Sequence, residues 1–143
     1  MKTVLLDTGP IVAYLKADDT HHAWAVEAFG RLRPPLLTCE AVLAEAVYLL
    51  RGLSTGPSLV FELLRRGAVT VGFRLADDLE PVQRLIAKYG PRRTDLADAC
   101  LVRMSEVYAD PVVVTVDSQF RDVYRRHGRK AIPTLSPHVL RRR

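Results

Sequence analysis

The chain has 143 residues, 48% of them hydrophobic, and carries 21 Lys and Arg against 16 Asp and Glu for a formal net charge of +5. That length suits one domain spanning 1–143 that buries its core without disulfides, and its two cysteines, Cys39 and Cys100, stand in no CxxC or Cys/His spacing, which argues against structural zinc and a disulfide framework. No apolar run approaches a membrane span and the start has no signal-peptide pattern, so a reducing cytoplasm is the expected setting, while the mostly arginine excess favours an anionic partner such as nucleic acid.

In chain order, Thr3–Leu6 is a short β-branched and leucine run that ends in Asp7-Thr8-Gly9-Pro10, the pattern of a buried strand stopping at a turn. A short helix follows around Ile11–Leu15. Thr20 is placed to cap a helix over His21–Phe29, in which Trp24 and Phe29 fit a packing face. Leu36–Thr38 reads as a strand and Glu40–Leu50 as a helix with Val42, Ala46, Val47, Leu49 and Leu50 available for packing. Ser54 or Thr55 is placed to cap the next helix, with Pro57 in its first turn. Ala68–Phe73 reads as a strand, Leu79–Lys88 and Thr94–Tyr108 as helices, Pro111–Thr115 as a buried strand, Ser118–Arg126 as a helix, and Ala131-Ile132 as an edge strand. Gly52, Gly67, Gly90 and Gly128 each follow one of these helices, with Arg or Lys in the last turn, which is the chemistry of helix ends. Alternating helical and strand-like segments predict an α/β fold.

Five acids recur at informative places. Asp7 ends the first strand, where it either caps the next helix or faces the crevice that open α/β sheets form at their strand ends. Asp117 repeats that pattern after Val112–Val116, and it too is placed to cap a helix. Glu45 lies among alanines and valines, so it either reaches solvent or finds a partner, because burying an unpaired carboxylate is costly. Asp95 and Asp98 share one helix face near its N-terminus; Asp95 reads as a first-turn acid beside a Thr94 cap, whereas Asp98 lines up with Val102 and Ser105 and is directed toward a cleft. Brought together, these acids make a pocket of like charge that calls for protons or cations. All-oxygen ligands select hard cations, which makes Mg²⁺ or Mn²⁺ the natural occupant, and such ions serve phosphoryl chemistry.

Leu5-Leu6-Asp7-Thr8-Gly9, Ala44-Glu45-Ala46, Asp95-Leu96-Ala97-Asp98-Ala99 and Thr115-Val116-Asp117-Ser118-Gln119-Phe120, in that order and over almost the whole chain, resemble the motifs of a PIN domain of the VapC type. The resemblance implies a three-layer α/β/α sandwich around a mostly parallel sheet. It implies Mg²⁺- or Mn²⁺-dependent endonucleolytic cleavage of RNA, by the toxin of a toxin–antitoxin pair. It makes Asp7 and Asp98 the principal metal ligands, with Glu45 and Asp117 completing the pocket, Glu45 helping to orient water, and Asp95 a further acid. Thr8 and Thr115 would orient the carboxylates. A homodimer and a small cognate antitoxin are implied as well.

Arg92 and Arg93 precede the Asp95/Asp98 helix and are candidates for RNA phosphate, as are Arg125 and Arg126 in the basic run Arg121–Lys130. Arg141–Arg143 form a basic tail. His21, His22, His127 and His138 have no Ser or Cys partner pattern, which disfavours a metal-free histidine mechanism. Two other classes of function are open to this sequence: a non-catalytic RNA- or protein-binding scaffold on the same fold, and an aspartate-nucleophile phosphatase. The latter is disfavoured because the second residue after Asp7 is Gly9 rather than an acid.

Overall fold

The computed structural model describes residues 2–137. His138 and Arg141–Arg143 lie outside the described residues. The elements run β1 (Thr3–Leu6), α1 (Thr8–Leu15), α2 (His22–Arg31), β2 (Leu36–Thr38), α3 (Glu40–Leu49), α4 (Gly56–Arg65), β3 (Val69–Val71), a 3₁₀ turn at Leu75–Asp77, α5 (Leu79–Tyr89), α6 (Leu96–Val107), β4 (Pro111–Val114), α7 (Gln119–Asp122), β5 (Arg125–Arg126), β6 (Lys130–Ala131) and β7 (Thr134–Leu135).

Five strands form one sheet in the order β3-β2-β1-β4-β7, with every pairing parallel. Helices cover both faces, giving the three-layer α/β/α sandwich. β1 is central, and Val4, Leu5 and Leu6 are buried against both layers, as a parallel strand covered on two sides requires. β1 and β4 pair from Thr3↔Pro111 to Leu6↔Val114, so the two strands finish level with one another. The core also takes Ile11, Val42, Val60, Leu63, Val82, Leu101, Met104, Val113 and Phe120. Cys39, before α3, and Cys100, on α6, are both buried free thiols. No helix among the described residues is long and apolar enough to cross a membrane.

Two glycines carry backbone geometry that other residues would strain. Gly67 (φ 77°) closes α4: its N–H donates to the Leu64 carbonyl at 3.1 Å and the Ala68 N–H to the Leu63 carbonyl at 3.1 Å, the paired bonds of a helix-terminating Schellman motif. Gly56 opens α4 where a Cβ would overlap the Leu50 carbonyl.

Several local expectations are corrected. Thr20 does not cap α2; the Asp19 carboxylate accepts from the His21 N–H at 2.8 Å, and the helix starts at His22. Thr55 occupies the N-cap of α4 without a side-chain bond. Leu49 turns outward at 47% exposure, while Val42, Ala46 and Leu50 take the buried stripe of α3. The strand expected over Ala68–Phe73 is only Val69–Val71.

The largest departure is at Ser118–Arg126, where helix persists only for Gln119–Asp122. Beyond it, Arg125 and Arg126 pair antiparallel with Ala131 and Lys130. The turn between them holds His127 (φ 54°) and Gly128 (φ 79°) in left-handed conformation, the geometry of a type I′ hairpin turn. Gly128 therefore serves a hairpin and not a helix end, and Gly52 takes no positive φ. Ala131 belongs to this ribbon; the edge strand of the main sheet is Thr134–Leu135.

Candidate active site

From β1 the chain builds out to β2 and β3 on one side, then returns on the other side with β4 and β7. The carboxyl ends of β1 and β4 therefore form the topological switch point, where ligands enter open α/β sheets. Asp7 and Thr115 lie there, one residue beyond the last paired positions. The Asp7 N–H donates to the Val114 carbonyl at 3.0 Å, extending the ladder.

Asp7 is both helix cap and site acid. Its Oδ1 accepts from the Thr8 N–H at 2.7 Å, as the N-cap of α1, and its Oδ2 accepts from Thr115 Oγ1 at 2.7 Å. The residue is 6% exposed. Burial pushes its carboxyl up from 3.8 to about 6, opposed by the bonds from Thr115 and Thr8 and reinforced by the negative charges of Asp117 and Glu45.

Asp98 stands in the first turn of α6. The helix is capped by Asp95, whose Oδ1 accepts from the Asp98 N–H at 2.8 Å, and not by Thr94, which is buried with its hydroxyl oxygen 3.3 Å from that of Tyr124. Asp95 is exposed and Asp98 partly buried. Asp98 Oδ2 accepts from the Tyr124 hydroxyl at 2.8 Å. Burial first, then the charges of Asp7, Asp95 and Asp117, push the Asp98 carboxyl up to about 7 against the effect of that bond.

Asp117 and Glu45 frame the pair. Asp117 is held through Thr115, whose Oγ1 accepts from the Asp117 N–H at 2.9 Å, and its own Oδ1 accepts from the Gln119 N–H at 2.9 Å, starting α7. Thr115, fully buried, thereby fixes two acids at once. Glu45 is exposed, so of its two sequence readings the solvent-facing one holds, yet Thr8 Oγ1 donates to its Oε1 at 3.0 Å and keeps it turned toward Asp7. The structure thus places Asp117 and Glu45 within electrostatic reach of Asp7, and Asp7, Asp95 and Asp117 within reach of Asp98.

The donor set is all oxygen, negatively charged and partly desolvated, which fits a hard divalent cation better than any softer metal. Two carboxyls held above their ordinary protonation range are what a cation would relieve. The N-termini of α1 and α6 also face these acids and offset part of their repulsion. Among the described residues, no three His, Cys, Asp or Glu side chains stand together as a ready-made metal site. Glu45 and Asp117 each have an oxygen engaged, by Thr8 and by the start of α7.

The arginines divide into two kinds. Arg125 Nη1 donates to the Tyr124 and Arg121 carbonyls at 2.8 and 3.2 Å, and Arg126 Nε to the Ser105 carbonyl at 2.8 Å, so both brace the hairpin. Arg92 and Arg93 are exposed on the turn before α6, and their guanidinium groups bond to no other described residue. They border an open cavity of about 480 Å³ together with Gln119 and Val123.

Tyr124 was not legible as a site residue. It lies in a basic stretch with helical appearance, yet its ring is fully buried, with Phe120 and Tyr89 edge-on at centroid distances of 5.0 Å each. A lone tyrosine amid arginines was the one signal available. Gln119 has no signal in the sequence beyond its place in the Thr115–Phe120 motif.

A family model described as the PIN domain matches residues 4–126. Ribonuclease VapC26 of Mycobacterium tuberculosis is 27% identical over 128 residues, covering 87% of this chain and 94% of that protein. The crystal structure of M. tuberculosis VapC20, described as a sarcin–ricin loop cleaving toxin, superposes with a TM-score of 0.68 at 19% identity, over 80% of this chain and 90% of that one, which bears on the fold. The sheet order, the acids at its switch point and the extent of the family match agree, and the chain belongs to the PIN domain family.

Proposed function

We propose that this chain, as a single domain, is a divalent-metal-dependent endoribonuclease of the VapC type, acting as the toxin of a toxin–antitoxin pair. The reading is carried by one observation: Asp7, buried at the switch point, and Asp98, on the first turn of α6, are both held above the usual carboxylate range, first by burial and then by the charges of neighbouring acids, Asp117 and Glu45 on Asp7 and Asp7, Asp95 and Asp117 on Asp98. The naming of one relative as a ribonuclease and of a similarly folded protein as an RNA-cleaving toxin supports it.

In this reading Asp7 and Asp98 hold Mg²⁺ or Mn²⁺, with Asp117, Glu45 and, at the rim, Asp95 contributing negative charge. A bound cation of this kind supplies Lewis-acid chemistry, neutralising phosphoryl charge and acidifying water. The α1 N-terminus and Thr115 orient Asp7 by donating one to each of its oxygens, which leaves the remaining lone pairs for the cation, and Tyr124 orients Asp98 by donating to Oδ2, which leaves Oδ1 for the cleft. Glu45, exposed and steered by Thr8, orients water with its second oxygen. Arg92 and Arg93 hold RNA phosphate, while Arg125 and Arg126 shape the wall. The protein works in the cytoplasm as a homodimer, and a small cognate antitoxin blocks the site.

Purified protein is expected to cut RNA with Mg²⁺ or Mn²⁺, and Asp7→Asn or Asp98→Asn to abolish cutting. Expression is expected to arrest growth, with relief by Asp7→Asn or by a co-expressed antitoxin. Cleavage that needs no metal and survives both substitutions refutes the mechanism; acid-independent RNA binding without cleavage favours a scaffold. Light scattering tests the homodimer.

A further inference from the structure

Resting on the ribonuclease reading, we propose that the cavity bordered by Arg92, Arg93, Gln119 and Val123 is a nucleotide subsite. It would take one unpaired RNA nucleotide next to the bond that is cut, with Gln119 as the residue that discriminates its base.

The cavity adjoins the acids through two direct links. Gln119 donates its backbone N–H to Asp117 at 2.9 Å, and the Arg93 carbonyl lies 3.4 Å from the Tyr124 hydroxyl that serves Asp98. A strand of RNA with one phosphate at the acids therefore places its neighbouring nucleotide here. At about 480 Å³ the space is a shallow depression, wide open to solvent, with room for one nucleotide laid against its floor.

The lining supplies the parts such a nucleotide needs. Arg92 and Arg93 offer two guanidinium groups unbonded to any described residue, suited to bidentate phosphate contact. Val123 gives an apolar wall for the face of a base. Gln119 Oε1 is buried with no hydrogen-bond partner, an uncommon state for a side-chain amide oxygen. A turn of the terminal amide carries this unmet acceptor into the cavity, where a base edge satisfies it and receives the amide N–H in return. Reading of that kind needs a base splayed out of a stack, which points to single-stranded RNA.

The test has a binding arm that does not depend on cleavage. With metal removed by EDTA, wild-type protein is titrated with fluorescent rA, rC, rG and rU tetranucleotides and followed by anisotropy. Wild type is expected to prefer one base by roughly 5- to 100-fold, and Gln119→Leu to bind all four alike. The Arg92→Ala/Arg93→Ala pair is expected to weaken all four and to lower the salt slope by about 1.4, as two lost single-strand phosphate contacts require. In the cleavage arm, products from a random RNA pool are sequenced: Gln119→Leu is expected to flatten base preference at one position beside the cut. Gln119→Glu, which keeps the length but loses the amide donors, changes that preference instead of flattening it, and serves if Gln119→Leu fails to fold. Unchanged base preference in both Gln119 variants, or unchanged affinity in the arginine pair, overturns the subsite. Failure of wild type to cut RNA, or cutting by Asp7→Asn, overturns the ribonuclease reading and leaves the binding arm to judge the subsite.

Discussion

Asp7→Asn is expected to destroy activity while stabilising the metal-free protein at alkaline pH. Below pH 3.8 the Asp7 carboxyl keeps its proton in folded and unfolded chains alike and adds no pH dependence. Between about pH 4 and 6 the unfolded chain ionises first, so the folded state binds more protons and loses stability as pH rises. Above about pH 6 the deficit is constant. A rise from 3.8 to about 6, at 1.36 kcal/mol per pK unit, makes the full deficit about 3 kcal/mol; with the unfolded carboxyl already partly ionised at pH 4, roughly 2–3 kcal/mol separates pH 4 from pH 8. Asparagine removes that dependence. Against the protonated Asp7 of pH 4, asparagine exchanges one neutral acceptor for another, at a cost of roughly 0.5–1.5 kcal/mol that does not change with pH, because the bonds from Thr8 and Thr115 to the charged form are already contained in the shift to about 6. The difference in stability between variant and wild type should therefore move in the variant's favour by roughly 2–3 kcal/mol from pH 4 to pH 8. Relief of the Asp98 carboxyl, which feels the Asp7 charge, adds in the same direction. Urea denaturation in EDTA at the two pH values measures this, and Mg²⁺ should restore stability to wild type alone. An offset that stays the same at both pH values refutes the reasoning.

Thr115→Val keeps the shape of a fully buried residue but removes the donor to Asp7 and the acceptor for the Asp117 N–H; a loss of about 2–4 kcal/mol in urea denaturation is expected at pH 8, less at pH 5 where Asp7 holds its proton. Tyr124→Phe leaves the aromatic packing and deletes the hydroxyl on Asp98. Calorimetric Mn²⁺ titration should show affinity lower by roughly 10- to 100-fold, with near-native melting. Since the lost bond favours the charged carboxylate, the acid limb of the pH–rate profile should also shift upward. Gly56→Ala forces a Cβ onto the Leu50 carbonyl and should lower the melting temperature by several degrees, about 1–3 kcal/mol, without altering cleavage specificity.

The site was more legible than the frame around it, for physical reasons. Asp7 and Asp117 were visible because an apolar β run followed by an acid is a short, local pattern, and parallel pairing does the rest. Asp98 was placed by helical spacing from Val102 and Ser105, both buried in the structure. Glu45 stayed undecided because its orientation depends on Thr8, a partner 37 positions away that no local pattern reveals. The hairpin after α7 was missed because Arg125–Lys130 has no apolar alternation to mark strands; its sign was the His127-Gly128 pair, a left-handed turn read as a helix end. Tyr124 depended on that same segment, so misreading the hairpin hid the residue that bonds Asp98.

The bond from Thr115 to Asp7 joins residues 108 positions apart, and its strand, β4, is the last-made neighbour of the central β1. During synthesis, β1, α1, β2 and α3 leave the ribosome with Asp7, Thr8 and Glu45 in place, yet one side of β1 stays bare until about four-fifths of the chain exists. Only then do Thr115 and Asp117 arrive beside Asp7. A partly made or prematurely ended chain therefore never brings Thr115 and Asp117 to Asp7, so strand order alone makes the acid arrangement a property of the nearly finished chain.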